Sequence, residues 1–339
     1  MKTVKVKFLG FWPGFVPEEF AFYKILAEHF VIELSDEPDF LFYSVFCENK
    51  FDYLAYDCVR IFYSGENVSP NFNECDYAIG FDEITYNDRY LNFPLFLLYA
   101  QLQQAQDKHL HITPSFLQGK TEFCNFIVGN GKGQQLRTDI FHALQAYKPV
   151  VSAGTYLNNR NGEAVTTEDA KLALQRTCKF TIAYESVAQR GFVTEKILHA
   201  FAAGTVPIYY GNADIEHIFN PDAFINAHAC ETLDDVVARV REVDEDPAKY
   251  EQMLTTPAFL NENYAAEKFA ALEAFLLNIV GAPPAQAYRR PMKFIPIYHQ
   301  QAILEGMHLM QEQERVAQQG RRRTGMGIRL RKLLGINRK

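Results

Sequence analysis

Thr194-Glu195-Lys196 stands at the start of an apolar helical run, just past a buried strand-like segment, Phe180–Tyr184, and a polar loop. Gly204 closes the helical run, and a second apolar strand follows over Val206–Tyr209. A helix that begins at the carboxyl end of a parallel strand aims free backbone N–H groups and the positive end of its dipole outward, which makes a phosphate site. Lys196 adds a mobile cation to the first turn, and Glu185 and Glu195 are acceptors for ribose or sugar hydroxyls. An ordinary β-α-β unit with a capped helix has the same spacing, so both readings stand on geometry alone.

Other residues with chemical potential also fall at strand ends. Phe123–Val128 runs into Gly129-Asn130-Gly131-Lys132-Gly133 and then a helix over Gln134–Tyr147 that carries Arg137. Glu66 follows the strand Val59–Tyr63, with Gly65 giving the backbone room to turn. A carboxyl group delivered there, into a partly desolvated cleft, has its pKa raised toward the range of a general base. Asp82 and Glu83 form a second carboxylate pair after Tyr77–Gly80. The one literal D-x-D, Asp244-Glu245-Asp246, lies just before Pro247 and reads as a solvated turn between helices, not as a metal site.

These positions depend on an alternation of strands and helices. Strands are expected at Val4–Gly10, Phe30–Leu34, Phe40–Val45, Val59–Tyr63 and Tyr77–Gly80, with a helix near Glu18–Glu28 started by Pro17. From about 84 to 120 the pattern loosens into a Tyr-, Phe- and Gln-rich stretch. Later strands are expected at Val150–Ser152 and Ala223–Ala227, and helices at Thr167–Thr177, Leu233–Val243, Pro247–Leu254 and Tyr264–Val280. The alternation argues for parallel sheets with crossover helices, arranged as twin doubly wound α/β domains facing a cleft. Residues 282–296 hold four prolines (Pro283, Pro284, Pro291, Pro296) and read as a linker or a wrap-around segment, and Ile297–Gln319 is helix-like.

With 339 residues, 48% of them hydrophobic, the chain is long enough for two domains and rich enough to bury their cores. Six cysteines are scattered singly, which favours free thiols over a zinc site or a disulfide frame. The start has no apolar stretch followed by a small-residue cleavage site, and no run is long enough to span a bilayer, so a cytoplasmic location is expected. The net charge of −7 divides into +8 on residues 320–339 and −15 on the rest. An acidic body argues against nucleic acid as a partner. In the final GIRLRKLLGINRK, apolar residues interleave with the cations, which favours peripheral attachment to an anionic membrane over a plain basic tail.

The chain resembles the bacterial α-1,3-fucosyltransferases. Their donor signature, F-x-x-x-F-E-N followed by Y-x-T-E-K and then V/I-P-I-Y-W/Y-G, is similar to Phe180–Lys196 and Val206–Gly211. Tyr63-Ser64-Gly65-Glu66-Asn67 resembles their Y-T-G-E-N motif, and YAIGFDEITYNDRY, around Asp82 and Glu83, is similar too. The resemblance covers roughly residues 59–264 and implies a GT-B fold. Its expected division is an acceptor domain over 1–149, a GDP-fucose domain over 150–281, and a linker, helix and tail over 282–339.

What the resemblance implies for chemistry is an inverting transfer of fucose from GDP-fucose to the 3-hydroxyl of N-acetylglucosamine in an N-acetyllactosamine-type oligosaccharide. Glu66 is implied as the base, and Arg137 and Lys196 as contacts to the donor diphosphate, with Lys132 a weaker candidate. Glu195 is implied to bind donor hydroxyls; Glu185 does likewise or organises the loop. Thr194 and Asn130 belong to the same donor surface. Two departures are Ser186, in place of Asn, and Phe192, in place of Tyr; Ser still bonds a phosphate oxygen, whereas Phe packs on the nucleotide without a hydroxyl. Asn67, Asp82 and Glu83 are assigned supporting or acceptor roles. Trp12, the single tryptophan, either stacks on an acceptor sugar or anchors its own loop. No tightly bound cofactor or required metal is expected, a divalent ion being at most stimulatory. Transfer from another nucleotide sugar, or binding of one without catalysis, is the competing reading.

Overall fold

A computed structural model describes residues 1–315, apart from Asn49, Met292, Phe294, Ile295, Gln311 and Glu314. The basic stretch 320–339 lies outside the described residues. The first sheet is built from β1 (Thr3–Leu9), β2 (Val31–Leu34), β3 (Phe40–Tyr43), β4 (Val59–Tyr63), β5 (Tyr77–Gly80) and β6 (Tyr90–Asn92), with α1 (Ala21–His29) between β1 and β2. Two short helices, α2 (Leu102–Gln106) and α3 (Pro114–Gln118), lead to the second sheet. That sheet comprises β7 (Glu122–Phe126), β8 (Val150–Ser152), β9 (Cys178–Tyr184), β10 (Val206–Tyr210) and β11 (Ile225–Asn226). Its helices are α4 (Leu136–Tyr147), α5 (Glu168–Thr177), α6 (Glu195–Ala202), α7 (Leu233–Glu245) and α8 (Pro247–Thr255); α9 (Tyr264–Gly281) and α10 (Pro284–Ala287) follow.

Every strand pairing is parallel, and the orders are β2-β1-β3-β4-β5-β6 and β11-β10-β9-β7-β8. Both sheets therefore share one doubly wound plan, with the order reversing between β1 and β3 in the first and between β7 and β9 in the second. Ligands of such sheets bind beyond the strand carboxyl ends at those reversal points. Central strands buried on both faces account for the continuous apolar runs of β3, β4 and β9.

The observed order moves the expected boundary at 149/150. β7 is a central strand of the second sheet and α4 packs on it, so that domain begins before residue 122. α9 in turn leaves the second domain and packs Leu272, Leu276 and Ile279 into the core of the first sheet. The same apolar cluster takes in Ile197, Leu198 and Phe201 of α6, so the two domains share buried surface. Pro17–Glu19 forms a separate 3-10 turn, and α1 starts only after Phe20.

The proline-rich segment wraps back onto the first sheet. Arg289 and Arg290 donate their backbone N–H groups to Asp76 Oδ1, both at 2.8 Å, and the buried Arg290 guanidinium pairs with the same carboxylate. Residues 296–310 are helical. No helix among the described residues is long and apolar enough to cross a membrane.

Candidate active site

The loops after β7 and β9 meet at the reversal point of the second sheet. β9 delivers Glu185, whose side chain is fully buried. Its Oε1 accepts the Thr194 backbone N–H at 2.8 Å and its Oε2 accepts the Thr194 hydroxyl at 2.7 Å. Thr194 is the residue before α6, yet its side chain makes no capping bond to that helix. The first turn of α6 therefore keeps N–H groups without a side-chain cap, the condition for binding an anion. Gly211 makes room for this arrangement, because a Cβ there would stand 2.5 Å from Glu185 Cγ.

Lys196 Nζ lies 2.8 Å from Thr194 Oγ1, 3.1 Å from Glu185 Oε2 and 3.3 Å from Glu195 Oε1. Burial opposes its charge, but the two carboxylates outweigh burial and hold the ammonium above the usual lysine range. Burial likewise opposes ionisation of Glu195, and the Lys196 and Lys171 charges overcome it, keeping the carboxyl well below the usual carboxylate range. Lys171, from α5, stands 3.9 Å from Glu195. Arg137 is 7% exposed, with Nη2 3.5 Å from the Asn130 carbonyl. Burial lowers its pKa, and Glu185 and Glu195 act against that. Gln134 N donates to Ser186 O at 3.1 Å and ties the two loops together. Arg137, Lys171 and Lys196 bring three cations to the carboxylates of Glu185 and Glu195, and the Arg137 guanidinium and Lys196 ammonium beside the open helix terminus are the groups suited to a diphosphate. Asn130 and Lys132 are exposed at its edge, with Asn130 Oδ1 accepting the Lys132 N–H.

Phe192 does not face this surface. It is buried between the domains and packs edge-on against Phe81 at 5.2 Å. Gly191, at φ 75°, brings the loop so close that a Cβ would sit 2.2 Å from the Phe81 carbonyl oxygen. Glu83 lies beside the same glycine. Asp82 accepts from Ser69 Oγ at 2.9 Å, and its other carboxylate oxygen is buried with no partner among the described residues.

Across the cleft, Glu66 follows β4 and is exposed, its N–H held at 3.0 Å by Ser64 Oγ. It lines a 430 Å3 cavity with Trp12, Tyr63, Tyr99 and Glu168. Trp12 is 42% exposed and also packs edge-on against Phe11, Phe15 and Phe20, so the ring borders the cavity and anchors its loop at once. Asn67, Asp82 and Glu83 are not among the described residues lining this cavity.

Tyr99 joins the two halves of the site. It lines the Glu66 cavity, packs edge-on against His199 of α6 at 5.3 Å, and feels the charges of Glu195, Glu168 and Glu185. His199 is buried with both ring nitrogens unpartnered, and burial pushes its pKa down to about 4. Lys171, Tyr99, Glu168 and His199 are absent from the residues singled out in the sequence. Lys171, Glu168 and His199 sit inside ordinary helical patterns, and Tyr99 lies in the irregular Tyr-, Phe- and Gln-rich stretch, so none stands out locally.

A second cavity of 310 Å3 borders the cationic surface at Leu136 and Tyr210. His228 forms part of its wall and stacks on Tyr210, with centroids 4.3 Å apart and planes at 21°. Tyr209 is fully buried and accepts the Asn212 N–H, so it serves packing. The acidic triplet is not a solvated turn throughout. Asp244 is almost fully buried between Lys148 and Lys179, and Asp246 caps α8 through the N–H groups of Ala248 and Lys249. Those carboxylates are committed to the fold and do not offer a metal cradle.

Comparison with known proteins decides the family. Residues 6–99 match the α-(1,3)-fucosyltransferase FucT N-terminal domain, and residues 117–256 match the C-terminal domain of glycosyltransferase family 10 (fucosyltransferase), together well over half of the chain. The chain belongs to the α-1,3-fucosyltransferase family. The α-(1,3)-fucosyltransferase FucT of Helicobacter pylori is 29% identical over 288 residues, covering 74% of this chain and 59% of that protein. The chain thus spans less than two thirds of that fucosyltransferase. A crystal structure of an α1,3-fucosyltransferase superposes with a TM-score of 0.70 at 26% identity, over 87% of this chain and 93% of the other. A second, with GDP-fucose, gives 0.65 at 25% identity over 81% and 91%. The fold of this family member is accordingly GT-B. The two matched segments also bracket residues 100–116, in agreement with a second domain that begins before β7.

Proposed function

We propose that this protein transfers L-fucose from GDP-fucose to the 3-hydroxyl of N-acetylglucosamine in N-acetyllactosamine-type glycans, with inversion, to give a Lewis x-like product. The observation that carries the reading is a carboxylate-bearing cavity, lined mainly by the first domain and closed by Glu168 of the second, which Tyr99 links to α6, the helix whose first turn carries Lys196. Family membership supports the donor. The acceptor and stereochemistry rest on the roles below.

Glu66 takes the proton of the acceptor hydroxyl as its oxygen bonds to the fucose anomeric carbon. The bond from that carbon to the β-phosphate oxygen breaks on the opposite side, and its electron pair stays on GDP. Arg137, Lys196 and the first turn of α6 stabilise the charge that develops there. Glu195 and Glu185 keep Lys196 charged and oriented, so the cation is in place before the reaction. Guanine fits the 310 Å3 cavity, where the Tyr210–His228 pair provides an aromatic wall and the adjacent Glu231 an acceptor for the base N–H groups. We further propose that residues 320–339 hold the enzyme to an anionic membrane surface on its cytoplasmic side.

The test is product analysis. Incubation of GDP-fucose with N-acetyllactosamine, followed by NMR of the trisaccharide, is expected to show an α-linked fucose on O3 of N-acetylglucosamine. A β linkage would remove the inverting assignment, since the donor is β-configured. Turnover of a different nucleotide sugar, with none of GDP-fucose, would remove the donor.

A further inference from the structure

The cavity that holds Glu66 is closed from the opposite domain by a second carboxylate. Glu168 is the first residue of α5, which packs on the second sheet, yet it lines the same 430 Å3 space as Trp12, Tyr63 and Glu66. The described lining residues include no cation. The carboxylate is only loosely engaged: Gln101 Nε2 donates to it from 3.4 Å, a stretched bond. Gln101 itself is buried, and its carbonyl oxygen has no partner among the described residues. Tyr63, 1% exposed and also lining the cavity, keeps a buried hydroxyl with no partner. Buried polar groups in native proteins are ordinarily paired, so a cavity whose lining combines two carboxylates with a residue carrying an orphaned hydroxyl is suited to a hydroxyl-rich ligand.

We infer that Glu168 is a positioning residue for the acceptor, and that the acceptor is an uncharged sugar bound by both domains at once. The inference rests on the transferase reading and deepens it. Glu66 receives the reacting hydroxyl, and Glu168 accepts a hydrogen bond from a second hydroxyl of the seated glycan. The ring lies against the apolar walls given by Trp12, Leu95 and Leu98. An ionised carboxylate only accepts hydrogen bonds, so this pair selects donors. A sulfate or carboxylate placed on the seated sugar meets two like charges, while Lys171, the cation that feels Glu168, is turned to Glu195 outside the cavity lining, so the anion is disfavoured.

Trp12 is the only tryptophan and lines the cavity, so its emission reports occupancy without turnover. The full chain, saturated with GDP, is titrated with N-acetyllactosamine, its monodeoxy analogues and a sulfated N-acetyllactosamine. The comparison is wild type, Glu168→Ala, Glu168→Gln and Asp169→Asn. Asp169→Asn removes the neighbouring first-turn charge of α5 and controls for helix stability. Glu168→Ala is expected to raise the N-acetyllactosamine midpoint roughly tenfold to a hundredfold, the scale of one charge-assisted hydrogen bond. Asp169→Asn and the GDP affinity of all variants are expected to stay at wild-type values. One monodeoxy analogue is expected to bind wild type as weakly as N-acetyllactosamine binds Glu168→Ala, with no further loss in that variant. The sulfated glycan is expected to gain affinity in Glu168→Gln. Equal midpoints for wild type and Glu168→Ala, or no titration of wild type by any glycan, would overturn the assignment. A titration that behaves as expected without fucose transfer would instead overturn the transferase reading and leave the acceptor site standing.

Discussion

Replacing His199 with Leu should make the protein more resistant to mild acid. The imidazole is 1% exposed, both ring nitrogens lack partners, and Tyr99, Lys171, Glu195 and Lys196 surround it. Burial, helped by the Lys171 charge, pushes its pKa down to about 4. In the unfolded chain the same group titrates near 6.5. Above that value both states are neutral and the group has no effect on pH dependence. As pH falls from about 6.5 the unfolded state takes up a proton that the native state refuses, so stability falls. At about 1.4 kcal/mol per pH unit the loss is about 2 kcal/mol by pH 5 and about 3 kcal/mol by pH 4. Leu fills a similar volume with no titrating group and removes two unsatisfied nitrogens, at the cost of the edge contact with Tyr99. Urea unfolding followed by far-ultraviolet circular dichroism, at pH 7 and pH 5 for both proteins, isolates the effect, because the other titrating groups cancel in the double difference. The variant is expected to gain about 2 kcal/mol on wild type between the two pH values. Parallel losses in the two proteins would refute a buried neutral His199.

Lys196→Ala should weaken GDP binding by roughly ten- to hundredfold, the scale of one charge-assisted hydrogen bond, and shrink the thermal shift that GDP produces; an unchanged GDP affinity by calorimetry would remove Lys196 from the diphosphate site. Glu185→Ala should cost about 1–3 kcal/mol in urea unfolding, because it leaves the buried Thr194 N–H unpaired and removes one of the two carboxylates that hold Lys196, whereas Glu185→Gln should cost less. Equal and small effects of the two changes would mean that the carboxylate does not organise the loop. Deleting residues 320–339 should release the protein from anionic vesicles without abolishing transfer to a soluble acceptor, and undiminished co-sedimentation would end the membrane proposal.

The two-sheet plan was readable because its central strands are apolar on both faces and helix starts carry recognisable capping residues, as at Thr167. The short elements between residues 84 and 120 were not. β6 has three residues, and α2 and α3 have five each, too few for either periodicity to register. That gap also hid the domain boundary, since β7 looks the same whichever sheet it joins. At the site, motif residues fell into two groups. Glu185, Thr194, Glu195, Lys196 and Arg137 converge on one surface, while Phe192 turns into the interface because the tight turn at Gly191 points the loop at Phe81. Tyr99, Glu168 and His199 became visible only through tertiary contact: Tyr99 lies in the irregular stretch after residue 84, Glu168 reads as an ordinary first-turn acid, and His199 sits one turn beyond the α6 residues that carry the motif.

The most direct test of fucose transfer by Glu66 and Lys196 is GDP release from GDP-fucose, with and without N-acetyllactosamine. Wild type, Glu66→Ala and Lys196→Ala are compared, with GDP affinity measured alongside. Release is expected to depend on the acceptor in wild type and to fall by roughly 10²–10⁴ in Glu66→Ala with GDP affinity unchanged, the loss typical of a missing general base. Lys196→Ala should lose both turnover and GDP affinity. Acceptor-dependent release at wild-type rate in Glu66→Ala would contradict the assignment of the base, and GDP-fucose binding without release in wild type would contradict catalysis itself.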